Sequence, residues 1–347
     1  MKVIVPLAGF GKRMRPHTWS KPKPLLNVAG KPVLGHILDK LAELDVAVDE
    51  LIFIVGWLGD QIEEYYRGSG YPYPARYVEQ RELMGQAHAI WLAREHLSGP
   101  ILIIFVDTIF EADLSGLEAS GLDGVLYVKE VEDPRRFGVV VRGGDGLVTH
   151  LVEKPDGFEN RQAVVGVYYL RDAAWLLRAI EELMARNLQT KGEFYLADAY
   201  TLMVEQGARI DVRPVSVWED CGTPVDVLKT NRFLLEHGRD NSRQATSAHS
   251  VIIPPVYIAP SARVENSIVG PYVTVAEHSV VLRSIVRDSI LDEGAYIDDT
   301  MLDRSLIGKD AVVRGRYRVL NVGDSSQVDF AHHPKGETRP EGPPGDA

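Results

Sequence analysis

From Ile258 onward, aliphatic residues return every five or six positions: Ile258, Val264, Val269, Val275, Val281, Val286, Leu291, Ile297, Leu302, Ile307 and Val313. Few folds accommodate such a spacing. Strands alternate with a period of about 2 and helices with a period of about 3.6, so neither reproduces it. A period near six marks a hexapeptide parallel β-helix, in which each face of a coil gives one aliphatic residue to a triangular core. A Ser-aliphatic-aliphatic triplet recurs in the same span, as Ser267-Ile268-Val269, Ser284-Ile285-Val286, Ser289-Ile290-Leu291 and Ser305-Leu306-Ile307. A small antiparallel β domain is the competing reading, and it gives no reason for the spacing to persist.

The preceding two thirds have another texture. Lys2 to Ala8 is an apolar run that meets Gly9, a buried strand leading into a glycine loop. Val33, Ile37, Leu38, Leu41 and Leu44 follow at helical spacing. Leu51 to Val55 and Ile101 to Val106 are strand-like, Ala87 to His96 helix-like, and further strands are expected at 125–131, 138–141 and 164–170, with helices at 173–186 and 196–205. The alternation predicts an α/β, Rossmann-like domain with a mostly parallel sheet. The chain therefore divides into an α/β domain at 1–237, a polar linker at 238–250, a left-handed β-helix at 251–330 and a tail at 331–347. That tail is rich in Pro, Gly and charge and is expected to be disordered.

Lys and Arg number 38 against 49 Asp and Glu, a formal net charge of −11. Such a balance speaks against nucleic-acid binding, which depends on neutralising phosphates. A small anionic ligand would need a local basic site within this acidic shell. Cys221 is the only cysteine, which excludes an intramolecular disulfide and a thiolate zinc cluster. No apolar run reaches the roughly 18 residues of a membrane span, and the N-terminal run is too short for a signal peptide. A soluble, cytoplasmic chain with no membrane partner is expected.

One basic site is visible. Gly9-Phe10-Gly11-Lys12-Arg13-Met14-Arg15-Pro16 directly follows the first strand. Two glycines let backbone N–H groups approach an anion, and three cations follow within five residues. The spacing is neither that of a Walker loop nor of the dinucleotide fingerprint, since Met14 stands where the latter needs a third glycine. Ser20-Lys21-Pro22-Lys23-Pro24 is stiffened by its prolines, and Lys23 is a candidate second phosphate cation.

Together with Leu25-Leu26-Asn27-Val28 and Lys31-Pro32, these segments resemble the opening of the sugar-phosphate nucleotidylyltransferases, particularly the glucose-1-phosphate thymidylyltransferase-like members with a C-terminal left-handed β-helix. The resemblance extends to about residue 235. It implies transfer of a nucleotidyl group from a nucleoside triphosphate to a sugar 1-phosphate, releasing pyrophosphate, with Mg²⁺ as cofactor. It also implies the following roles. Leu7, Ala8, Gly9, Gly11, Lys12 and Arg13 would hold the nucleotide, with Gln80 and Gly85 at the base. Asp107, in Val106-Asp107-Thr108-Ile109-Phe110, and Asp220, in Trp218-Glu219-Asp220-Cys221-Gly222, would hold the metal. Gly138, Glu153, Lys154, Gly166 and Glu193 would receive the sugar phosphate, and Arg13, Lys23 and Lys154 would carry the catalytic charge. Cys221, with no evident partner, reads as a small packed residue.

Departures from the family pattern fall near the nucleotide and the metal: Ala8 for a common glycine, Lys12 for threonine, Asn27 for proline and Thr108 for asparagine. They bear on substrate preference more than on activity. dTTP or UTP with glucose 1-phosphate is the favoured pair. Mannose-1-phosphate guanylyltransferase is the alternative, and so is a bifunctional uridylyltransferase and acetyltransferase acting on an amino-sugar phosphate, for which His278 is the only histidine in the repeats. The β-helix is expected to serve homo-oligomeric assembly.

Overall fold

The computed structural model describes residues 1–315. Its first region is built on a nine-stranded mixed sheet. Strands β1 (Lys2–Pro6), β2 (Glu50–Val55), β3 (Ala75–Glu79) and β4 (Ile101–Ile104) alternate with helices α1 (Val33–Lys40), α2 (Gly59–Gly68) and α3 (Gln86–Leu92). These four strands are parallel, in the spatial order β4-β1-β2-β3. Their apolar runs show why. Val3 and Val5 face one core while Ile4 faces the other, and Leu51 and Phe53 are separated from Ile52 and Ile54 in the same way. A strand covered on both faces loses the polar alternation of a half-exposed one and becomes a continuous aliphatic run.

The rest of the sheet is largely antiparallel. After β5 (Thr108–Glu111) come β6 (Gly124–Glu130), β7 (Gly138–Arg142), β8 (Val148–Glu153) and β9 (Gln162–Leu170). β9 pairs antiparallel with β4, β6 and β7, and β8 continues beyond β7. Helices α4 (Ala173–Ala185) and α5 (Leu196–Glu205) then cover one face, and β10 (Ile210–Pro214) returns parallel to β6. Asp172 caps α4 by accepting from Ala174 N–H at 3.0 Å, a local stop that sets where the helix begins. β11 (Val217–Asp220) leaves the main sheet and pairs antiparallel with β5 as a separate ribbon, followed by α6 (Pro224–Leu234).

The second region is the expected left-handed β-helix: three four-stranded parallel sheets wound from residue 251 to residue 314. Ile258, Val264, Val269, Val275, Val281, Val286, Leu291 and Ile297 are at most 2% exposed, and Leu302, Ile307 and Val313 close the last coil half-covered. Coils repeat every 16 or 17 residues. The serine of each triplet sets a corner. Ser267 Oγ donates to Glu265 O at 2.7 Å and accepts from Ser284 N at 3.1 Å on the next coil; Ser284 Oγ donates to Leu282 O and accepts from Thr300 N. Each serine thus satisfies backbone groups that the turn would otherwise bury unpaired. Residues 238–250 are bonded to the first coil: Asn241 exchanges side-chain bonds with the backbone of Ile258, both at 2.9 Å, and Ala248 N donates to Val264 O at 2.9 Å. The segment expected as a tail, 331–347, lies outside the described residues, as does the end of the expected β-helix span.

One outward column of the β-helix does not face solvent. Tyr257, Thr274, Ile290 and Leu306 stand in register on successive coils. Ile290, 2% exposed, joins the core of the α/β region, with Tyr257 and Leu306 packed beside it. Thr274 Oγ1 donates at 2.6 Å to Asn231 Oδ1 on α6, which also accepts from Ala29 N at 2.9 Å. Thr274 and Asn231 are fully buried, so this polar junction forms only when both regions are folded and docked.

Candidate active site

β1 leads into a turn whose shape is fixed from below. Met14 is fully buried, and Thr18 Oγ1 donates to Gly11 O at 2.9 Å. Gly11 has φ +59°, and a Cβ there would press on Thr18 and on Lys23 Cβ at 3.1–3.2 Å, so glycine serves both the left-handed backbone and the close approach. Gly9 is different: nothing lies within 4 Å of the place its Cβ would occupy. The protein's own packing does not require a glycine there, and the open space fits a ligand set against the backbone. Lys12 and Arg13 begin the short turn Lys12–Met14, and both are exposed.

The ribbon of β5 and β11 brings the two distant aspartates together. Asp220 lies opposite Thr108, and Cys221 N donates to Asp107 O at 2.8 Å. Lys23 Nζ stands 3.9 Å from Asp107 Oδ2. Arg13 and Asp220 flank Gly222, where a Cβ would come within 3.0 Å of the Arg13 guanidinium and 2.7 Å of Asp220 Oδ1. Burial holds the Asp220 carboxyl above the ordinary aspartate range, and the charges of Asp226 and Asp107 push the same way. Asp107 is half exposed at the mouth. Cys221 is buried, its thiol pushed up to about 12 chiefly by desolvation. It is a packed residue without thiolate character.

Two clefts meet at this point. The first, about 430 Å³, is lined by Leu7, Ala8, Gly9, Gly11, Lys12, Arg13, Lys23, Gln80, Gly85 and Asp107 among others. The second, about 490 Å³, holds Gly138, Glu153, Lys154, Gly166 and Asp220. Arg13, Asp107 and Glu193 border both. Every residue expected to hold the nucleotide, the metal or the sugar phosphate therefore falls on one of two adjoining clefts, and the acidic pair and the cationic turn sit at their junction.

Gln80 is buried, and its amide nitrogen already reaches Gly85 O at 3.3 Å and His88 Nδ1 at 3.4 Å. Its carbonyl oxygen takes part in neither bond. Gly85 has φ +112°, and a Cβ there would strike Phe194 backbone atoms at 2.5–2.7 Å, so the fold itself demands this glycine. In the second cleft, burial holds Glu153 above the usual glutamate range. Burial pulls the other way on Lys154, but the Tyr195 hydroxyl at 3.4 Å and the Glu153 carboxylate outweigh it and raise the ammonium. Lys154 carries φ +50°, a left-handed backbone that an unbranched non-glycine residue adopts at a cost of order 1 kcal/mol.

Asp107 and Asp220 offer oxygen donors only, and among the described residues no third His, Cys, Asp or Glu completes a group of three with them. Two carboxylates suit a hard divalent cation that takes its remaining oxygens from phosphates and water. Sequence reasoning did not single out Gln86, Phe105 or Tyr195, which line the same clefts. Tyr195 lies two residues after Glu193, which the resemblance had assigned to the sugar phosphate. Phe105 is placed by its backbone bond to Gly166, which joins residues far apart in the chain and leaves no local signal.

The sequence profile of the nucleotidyl transferase family matches residues 2–237. The bifunctional protein GlmU of Methanocaldococcus jannaschii is 32% identical over 237 residues, covering 68% of this chain and 55% of that protein. The chain thus spans about half the length of the GlmU relatives it matches. A glucose-1-phosphate thymidylyltransferase of Streptomyces griseus is 30% identical over 95% of this chain and 100% of its own length. The UTP–glucose-1-phosphate uridylyltransferase AglF of Haloferax volcanii is 30% identical over 68% of this chain and 97% of its own. A solved UDP-glucose pyrophosphorylase complexed with UDP-glucose shares the fold, with a TM-score of 0.60 and 21% identity over 68% of this chain and 98% of that one. By the family match and by these relatives, the chain belongs to the nucleotidyl transferase family.

Proposed function

We propose that the protein transfers a nucleotidyl group from dTTP or UTP to glucose 1-phosphate, giving a nucleoside-diphosphate sugar and pyrophosphate in a Mg²⁺-dependent reaction. The observation that carries this reading is the meeting of Asp107, Asp220, Arg13 and Lys23 where the two clefts join. The likeness to the Streptomyces griseus glucose-1-phosphate thymidylyltransferase and the Haloferax volcanii UTP–glucose-1-phosphate uridylyltransferase supports the pyrimidine nucleotide and the glucose phosphate.

The chemical difficulty is to bring one anion against another. A phosphate oxygen of the sugar phosphate attacks the α-phosphorus in line, and the bond to the departing pyrophosphate breaks. Arg13 balances charge growing on that leaving group, with backbone N–H groups of Gly9 to Lys12 beside it. Lys23 steadies the α-phosphate. Lys154, fixed by Tyr195 and Glu153, aims the attacking phosphate. Glu153 and Glu193 accept from sugar hydroxyls, and Gly138 and Gly166 leave room for the ring. Gln80 offers its carbonyl to the base. Asp107 and Asp220 would hold the Mg²⁺, whose charge offsets that of the phosphates. The attacking phosphate is already ionised near neutrality, so no general base is required.

His278 sits at a coil corner with φ +59°, its N–H donating to Ser261 Oγ at 3.0 Å. Its backbone thus has a place in the turn. For self-association, the exposed column Val251, Ile268 and Met301 on one β-helix face supports a homo-oligomer. The reaction is tested by pyrophosphate release from dTTP, UTP, GTP and ATP against glucose, mannose and N-acetylglucosamine 1-phosphates. A pyrimidine nucleotide with glucose 1-phosphate should lead. Preference for GTP with mannose 1-phosphate would replace this reading by the guanylyl alternative, and silence in every combination would end it.

A further inference from the structure

The loop that carries Lys23 is held from outside its own domain. Lys21 Nζ donates to Asp292 Oδ2 on the β-helix at 2.6 Å, with both side chains largely buried, at 16% and 12% exposure. Asp292 is rigidly set. Its N–H donates to Ile307 O on the next coil, its C=O accepts from Ala295 N and Ser279 Oγ, and its second carboxylate oxygen accepts from Glu293 N at 2.9 Å. It lies two residues after Ile290, at the edge of the column docked on the α/β core. Nearby, His17 packs over Gly308 of the last coil. From Lys21 the path to the site is short and stiff: Pro22, then Lys23, whose Cβ packs near Gly11 and whose Nζ reaches Asp107 at 3.9 Å. Both peptide units around Lys23 involve proline, so the torsional freedom between Lys21 and Lys23 is small.

We propose that Asp292 is a positioning residue for the cationic loop: by holding Lys21 it fixes Lys23 at the junction of the clefts, so the β-helix helps to shape the site as well as supporting assembly. The inference rests on the nucleotidyl-transfer reading only for its kinetic consequence. A buried, hydrogen-bonded ion pair loses far more when one partner is removed than an exposed pair does. Loss of Asp292 would leave the Lys21 ammonium without its partner and release the loop.

The test uses the full chain with Asp292→Asn, Lys21→Met and the double variant, each followed by amide hydrogen exchange and by steady-state kinetics. Exchange in residues 15–26 should quicken on the order of tenfold in each single variant, while β1, β2 and β4 keep wild-type protection. Turnover should fall on the order of tenfold, as small misplacements of a charged group do. The Michaelis constant for the sugar phosphate should hold, because Glu153 and Lys154 are supported elsewhere. The double variant should be no worse than either single one. Exchanging the charges, Lys21→Asp with Asp292→Lys, should recover part of both readouts. Unchanged exchange in residues 15–26 would overturn the inference, and so would additive losses in the double variant. A wild-type chain silent with every substrate pair would end the proposed reaction instead, and the exchange measurement would still decide the role of Asp292.

Discussion

The two regions of this molecule are stabilised over different distances along the chain. In the β-helix, the strand registers and the serine corners join each residue to another one coil away, 16 or 17 positions on. In the α/β region the decisive contacts are long. The β5–β11 ribbon joins residues 108–111 to 217–220, and the bond from Cys221 to Asp107 closes it. Regular near-neighbour contacts give a stiff, repeating body. Chemistry arises where unlike segments are forced together, since charged groups of one kind would not gather without a fold to hold them.

The sharpest way to break this comparison is at the ribbon. Asp107→Asn is expected to cut metal-dependent turnover by about 10²–10³, roughly 3–4 kcal/mol of transition-state stabilisation. The melting temperature should barely move, because Asp107 is half exposed and outside both cores. A variant that turns over with an unchanged divalent-ion requirement would remove Asp107 from the site. The opposite pattern is expected in the β-helix. Ile297 is fully buried, and Ile297→Ala should cost about 3 kcal/mol of stability through lost burial and a cavity. Turnover per folded molecule should persist at low temperature. Loss of turnover without loss of stability there would mean that the two regions are coupled well beyond the Lys21–Asp292 contact.

A smaller effect separates the regions by pH. His36 in α1 is buried against Val28 O at 2.8 Å, and desolvation lowers its pKa to about 4. The unfolded chain takes up this proton near the ordinary value of 6.5, while the folded chain resists it. Stability is therefore lost as pH falls from 6.5 towards 4. By pH 5 the loss should be about 2 kcal/mol. His36→Gln keeps a donor for Val28 and should flatten that slope in denaturant titrations at pH 7 and pH 5. An unchanged slope would show that other groups govern the acid response.

The parts legible in the sequence were the local ones. The near-six spacing of aliphatics specified the coil, because each position faces the core through its own neighbours. The aliphatic runs and helical stripes specified the α/β alternation, and Gly9 to Arg15 announced an anion site through backbone freedom and charge density. The aspartates were legible only as motif positions. Nothing near Asp107 or Asp220 states that they meet, and Gly85 gave no sign that it is required by the Phe194 backbone. The antiparallel half of the sheet was hidden similarly, since a strand's pattern records its burial and not its partner or direction.

Sequence alone thus determined the two architectures, the cationic turn and the list of candidate residues. Tertiary structure decided that Asp107 and Asp220 face that turn, and that the outward column Tyr257, Thr274, Ile290 and Leu306, with Asp292 beside it, seats the β-helix against the site. The reason is physical. Periodicity is imposed by contacts between near neighbours, and a chain displays it wherever one reads. A pairing across a hundred residues or more depends on closing a long loop against the rest of the fold, and no short stretch of residues contains that balance.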